Sequence, residues 1–183
     1  MTAAAQKALA ITLKHEGGYV NDPKDKGGET YCGISRKNFP NWKGWAFIDK
    51  YKPIVVLADD VNQFYIDNFW NKIKGDSIAS PAVAAFLFDF YVNAGGNAIK
   101  TLQTMLKAHY GFDVAEDGVF GNNTLNALNS AINKWGGERS ANSVLEELYN
   151  RRARYYDKIN QPRFIKGWLA RNEAVFNECL KMI

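Results

Sequence analysis

Glu16 and Asp25 frame the segment best equipped for chemistry, His15-Glu-Gly-Gly-Tyr-Val-Asn-Asp-Pro-Lys-Asp-Lys-Gly-Gly-Glu-Thr-Tyr-Cys-Gly-Ile34. Glu16 ends an apolar stretch, and Asp25 follows nine residues later in a loop of Gly, Asp and Asn. A carboxyl group closing an apolar helix is partly desolvated, which raises its pKa and keeps it protonated near neutral pH. An Asp in a polar loop stays ionised. Glycoside hydrolysis needs two such opposed groups, an acid for the leaving oxygen and a base or nucleophile on the other face. The glycines let the chain turn sharply and let another molecule approach the backbone closely.

Further along the chain, Asp89 and Asn93 stand four residues apart, on one face of an apolar helix. A buried carboxylate needs partners. The pair can line the floor of a cleft and hold Glu16 or a sugar, or Asp89 can be a core acid satisfied by an arginine such as Arg152. Tyr19, Tyr31, Trp42 and Trp45 gather around the Glu16 loop and offer flat faces for sugar rings; packing in the core is the other use of such residues. Asp117-Gly-Val-Phe-Gly-Asn-Asn-Thr124 reads as architecture, with Asp-Gly for a tight turn and Asn for a helix cap.

These residues need a scaffold, and the hydrophobic spacing supplies a mainly helical one. Apolar positions recur at three- and four-residue steps over 3–16, and Gly17-Gly18 stops that helix. Glu29–Ile34 is β-prone and predicts a small hairpin beside the cleft. Residues 36–57 read as irregular and aromatic. A helix is predicted from Asp59 or Asp60 to about 73. Ser80-Pro81 opens a helix apolar on nearly every side, which should be the central buried one. Further helices are expected at 96–109, 122–133 and 140–159, with a last one opening at Pro162.

Length and composition bound the rest. The 183 residues suffice for one domain plus a small module, and 46% hydrophobic with 23% charged residues is an ordinary globular balance. No apolar run reaches the roughly 18 residues of a membrane span. The N-terminus reads as the first helix of the fold and not as a signal peptide, which predicts a protein held in the cytoplasm until it is released to its target. Two histidines, with no second His after His15-Glu16 at zinc-peptidase spacing, give no metal site, and no phosphate-binding glycine loop is present. Cys32 and Cys179 are expected as free thiols. The net charge of +4 is concentrated in 134–171, where nine Lys and Arg face four acids. Such a basic face suits an anionic polymer, or is simply solvated. No recognition helix accompanies it, so nucleic acid is not expected as a partner.

Glu16-Gly-Gly-Tyr followed by Asp25-x-Gly-Gly-x-Thr30-x-x-Gly-Ile34 resembles the lysozyme-like N-acetylmuramidases of glycoside hydrolase family 108, common in prophages and in part labelled secretion activator proteins. The resemblance continues through Phe88-Asp-Phe-Tyr-Val-Asn-Ala-Gly95, Ala98-x-x-x-Leu-Gln103, Asp117-Gly-Val-Phe-Gly-x-x-Thr124 and Phe164-x-x-Gly-Trp-x-x-Arg171. It implies a lysozyme-like α+β fold, with a catalytic region over 1–92 and a helical peptidoglycan-binding region over 93–183, packed as one body. It also implies cleavage of the β-1,4 bond between N-acetylmuramic acid and N-acetylglucosamine, without a cofactor, by a monomer acting on bacterial peptidoglycan. Glu16 corresponds to the catalytic acid. By analogy with phage-type lysozymes, Asp25 corresponds to the second carboxylate and Thr30 to a water-positioning hydroxyl. Asp22 competes for the second role, because the loop to Thr30 is one residue shorter than in the phage enzyme. Tyr19, Tyr31, Trp45, Asp89 and Asn93 complete the expected substrate-binding set. The rival reading is a non-catalytic wall-binding or secretion-associated protein on the same fold.

Overall fold

The computed structural model describes residues 1–21, 28–51, 57–134 and 136–183. Among them the chain forms α1 (Ala3–Leu13), three two-residue strands β1 (Tyr19–Val20), β2 (Thr30–Tyr31) and β3 (Ile34–Ser35), then α2 (Gly44–Tyr51) and α3 (Ala58–Tyr65). A π-helical turn at Ile66–Trp70 and two short 3-10 turns lead into α4 (Pro81–Ala94), α5 (Gly96–Tyr110), α6 (Asn122–Asn133), α7 (Gly137–Ile159) and α8 (Pro162–Leu180). The strands pair antiparallel in the order β1-β2-β3, with Tyr31 opposite both Tyr19 and Ile34.

Local sequence explains the ends of these elements. Thr2 caps α1 by accepting from the Ala5 N–H, and Ser80 caps α4 by accepting from Val83 with Pro81 in the first turn. Gly111 and Asn160 end α5 and α7 in the left-handed conformation. The expected central helix is α4. Every residue from Ala82 to Phe90 is buried, and α1, α5, α7 and α8 all pack against it. Because α4 crosses residue 92, the N- and C-terminal stretches share one hydrophobic core. A single lysozyme-like α+β body results, with the small sheet beside the end of α1.

Two expectations need correcting. Residues 36–57 are not wholly irregular, since α2 forms over Gly44–Tyr51 and buries Trp45 and Ile48. The helix predicted to run to about 73 is α-helical only to Tyr65, then loosens into the π turn and tightens into 3-10. At the end of these turns the buried Trp70 indole lies against Gly75, where a Cβ would come within 2.3 Å of the ring. Lys74, at φ +48, completes the reversal that brings the two together.

Candidate active site

Glu16 stands just beyond α1, where the helix has ended in hydrogen-bonded turns from His15 and Glu16 back to Thr12 and Leu13. Its side chain is 17% exposed. Desolvation is therefore only part of its surroundings, because Arg171 of α8 places Nη2 2.8 Å from Glu16 Oε1. The other oxygen faces Gly33. A Cβ at Gly33 would lie 2.5 Å from Glu16 Oε2 and 2.6 Å from the Tyr65 hydroxyl, and the backbone there is left-handed at φ +77. Glycine alone meets both conditions. The Tyr65 hydroxyl donates to the Cys32 carbonyl at 2.9 Å, pinning the turn between β2 and β3 under the carboxylate.

Behind Glu16 lies a buried charge network. Arg171 donates to both oxygens of Asp89, most closely from Nη2 to Oδ2 at 2.7 Å, while Arg152 Nη2 bonds Asp89 Oδ1 at 2.7 Å. Arg152 Nε donates to the Tyr156 hydroxyl, which donates in turn to Asn93 Oδ1, each at 2.8 Å. Burial pushes the Asp89 carboxyl up, but Arg152 and Arg171 outweigh it and hold the pKa below the usual carboxylate range. Arg171 is held cationic: burial opposes its charge, and Asp89 and Glu16 more than restore it. The guanidinium is thus divided between an anchor, Asp89, and the working carboxylate, Glu16. His15 is shifted down, by burial first and then by Arg171.

Glu16 opens on a pocket of about 250 Å³, whose walls include Gly33, Ser35, Tyr65, Val92, Asn93 and Arg171. Through the shared residues Asn38, Phe39 and Phe64 it adjoins a groove of about 510 Å³. Asn41, Gln63 and Asn68 line that groove together with Trp42. Lys43, Asp60 and Asp67 line it too, Lys43 paired with Asp60 and Asp67 accepting from Gln63, so the wall offers donors and acceptors beside aromatic residues, a mixture that suits a polyhydroxylated chain.

The structure brings some of the expected site residues together and removes others. Glu16 and Asn93 share the pocket. Thr30 lies in β2 directly opposite Ser35, a pocket residue. Asp89 is completely buried beneath Arg171, which fits the core-acid reading and leaves no surface for sugar. Trp45 is 3% exposed, donates its indole N–H to the Phe39 carbonyl and carries the Arg36 guanidinium on its ring, so it offers no free face. Tyr31 is buried and stacked on Trp42. Tyr19 is half-buried and bonds Glu29 at 2.9 Å. Asp22 and Asp25 lie outside the described residues. Sequence reading missed Gly33, Tyr65 and the direct Arg171–Glu16 pair. The closing Gly-Trp-x-x-Arg171 signature was the one available signal for that pair. Among the described residues no group of three or more His, Cys, Asp or Glu can hold a metal, and both cysteines are free.

Glu16, held by Arg171 at one end of a cleft that also carries amides, aromatic residues, Asp60 and Asp67, on a lysozyme-like fold, fits a carbohydrate-cleaving class. The family comparison agrees. Residues 9–95 match the family model Glycosyl hydrolase 108, and residues 97–173 match the Predicted Peptidoglycan domain. The chain thus carries a glycosyl hydrolase 108 region in its N-terminal half, followed by a predicted peptidoglycan domain. It is similar to the solved structure of Brucella abortus SagA, with 28% identity and a TM-score of 0.71, over 97% of this chain and 94% of that one. No curated protein matches it.

Proposed function

We propose that the protein is a muramidase, cleaving the β-1,4 bond between N-acetylmuramic acid and N-acetylglucosamine in peptidoglycan. The observation that carries this reading is Glu16, the acid oriented by Arg171 and Gly33 at the mouth of a cleft suited to sugars. In the working cycle the Glu16 carboxyl carries its proton on the oxygen away from Arg171, delivers it to the leaving glycosidic oxygen and becomes the carboxylate that Arg171 pairs with. Asp89 keeps hold of Arg171, so the Glu16 side chain keeps its place when it changes charge. The second carboxylate is Asp25, with Asp22 as the alternative, and Thr30 holds the attacking water. These three roles rest on the sequence order and the family resemblance. The protein acts as a monomer and reaches the wall after release from the cytoplasm.

Glu16→Gln tests the reading, since the amide keeps the size of the side chain and a hydrogen bond to Arg171 but supplies no acid. Release of new reducing ends from purified peptidoglycan should fall by about 10²–10⁴-fold, with the circular dichroism spectrum unchanged. Wild-type rates from Glu16→Gln would end the assignment and leave the wall-binding reading. NMR of the first-formed anomer assigns the course: inversion fits Asp25 as a base acting through water, whereas retention rules out that role in a single displacement.

A further inference from the structure

A second pocket, of about 170 Å³, lies between α5 and α7, lined by Thr101, Thr104, Arg151, Arg154, Tyr155 and Lys158. All six fall within the stretch matched by the predicted peptidoglycan domain. Positions 151, 154, 155 and 158 form one stripe of α7 by helical spacing. Arg152 and Tyr156 point the other way, into the Asp89 network.

The stripe carries more positive charge than its neighbours cancel. Arg151 bonds Glu147 through Nε at 2.6 Å, and Arg154 reaches the same carboxylate oxygen from Nη2 at 3.4 Å. One anion thus serves two guanidinium groups, and Lys158 has no carboxylate partner among the described residues. Glu116, the other nearby acid, is engaged by Thr104 at 2.5 Å and by Lys107 at 3.7 Å. The charged groups here are all donors; guanidinium and ammonium accept nothing. The hydroxyls of Thr101, Thr104 and Tyr155 share the pocket, and those of Thr101 and Thr104 donate to the Asn97 and Lys100 carbonyls of their own helix. A carboxylate needs only donors, and a guanidinium fork matches its two oxygens.

We propose that this pocket binds carboxylates of the peptide stems of peptidoglycan, so that the chain reads the neutral glycan at the Glu16 cleft and its acidic branches on α7. The inference rests on the muramidase reading for its choice of polymer. The test uses the full chain carrying Glu16→Gln, which binds walls without cutting them. Two probes are compared by cosedimentation at low and high salt. One is purified peptidoglycan freed of phosphate polymers, the other is the same peptidoglycan with its stem carboxylates converted to amides by a carbodiimide and ammonia, and walls that keep their phosphate polymers serve as a control.

Binding should be about tenfold weaker to the amidated peptidoglycan, and binding to the untreated material should weaken with salt. Adding Arg154→Glu with Lys158→Glu should reduce binding of the untreated material to the amidated level. Both side chains are exposed, and the neutral pair Arg154→Gln with Lys158→Gln serves if charge reversal disturbs folding. Equal binding to both probes, or intact-wall binding unchanged by either double variant, overturns the proposal. Retention only by walls that keep their phosphate polymers overturns it in favour of a phosphodiester site. Release of reducing ends by the wild type is measured separately; its failure removes the hydrolase reading and leaves the two-probe binding comparison intact.

Discussion

At Gly33 the backbone and the chemistry meet in one residue. Its φ of +77 and the 2.5 Å approach of Glu16 Oε2 to any added Cβ both require glycine. Gly33→Ala should therefore cost about 1–3 kcal/mol of stability, read as a lower urea midpoint. It should also displace the acid, and a shift near 1 Å is enough for about a 10²-fold loss of rate. Retained stability and rate would show that Glu16 is held from elsewhere. Arg171→Lys keeps a charge but loses the fork that serves two carboxylates, so turnover should fall while the fold is kept; an unchanged rate would reduce Arg171 to a bystander. Glu16 was legible in the sequence because a carboxylate followed by Gly-Gly at the end of an apolar helix is a local pattern. Its partner was not, because Arg171 stands at the opposite end of the chain and only the packing of α8 against α1 and α4 brings them together. Asp25 was nominated by the same local pattern, and the anomer experiment tests whether a base acting through water is used at all.

At the scale of elements, the Asp117-Gly-Val turn is held from α5 by one side chain. Buried Gln103 donates to Asp117 Oδ1, to the Val119 carbonyl and to Thr124, and accepts from the Gly118 N–H at 2.9 Å. Gly118, at φ +76, packs against the Gly96 carbonyl at the start of α5. The architectural reading of this sequence motif is the one the contacts support. Gln103→Ala leaves several of these groups unpaired and should lower stability by about 2 kcal/mol in urea unfolding. No change in the midpoint would mean that water replaces the amide. Long elements were readable because their caps and periodicity agree, as at Ser80-Pro81 and Pro162. The short α2 was not, because its eight residues are only about two turns, too few for the spacing of Trp45 and Ile48 to stand out from an irregular aromatic segment. The interruption after Tyr65 was hidden for a different reason: the apolar spacing of 59–73 is the same for α, π and 3-10 turns to within a residue, so it does not express where one gives way to another.

Across the whole molecule, the Asp89–Arg152–Arg171 group joins α4, α7 and α8 and connects them to Glu16 behind α1. This changes the meaning of the basic C-terminal stretch. Two of its nine cations are buried countercharges for Asp89 and Glu16, which counting charges along a sequence cannot separate from surface ones. The exposed excess that remains includes the α7 stripe. Arg152→Met should be costly, about 3–5 kcal/mol, because it removes one partner of a fully buried pair and also unbinds the Tyr156 hydroxyl. The pH dependence identifies the source of that cost. Asp89 is held below its unfolded pKa of about 4 in the fold, despite burial, by its two arginines. The unfolded state therefore takes up the proton first, and the stabilisation is fully present above that value and is lost as pH falls through the folded pKa. In wild type, protonating Asp89 also leaves two arginines without their shared anion. In Arg152→Met, Asp89 is held down less firmly, so acid has less to remove. Urea unfolding measured from pH 7 to pH 3 should show the gap between wild type and Arg152→Met narrowing as the pH falls. A gap that stays constant across that range would mean that Arg152 stabilises the protein through its packing against Phe86 and Phe90, and not through Asp89.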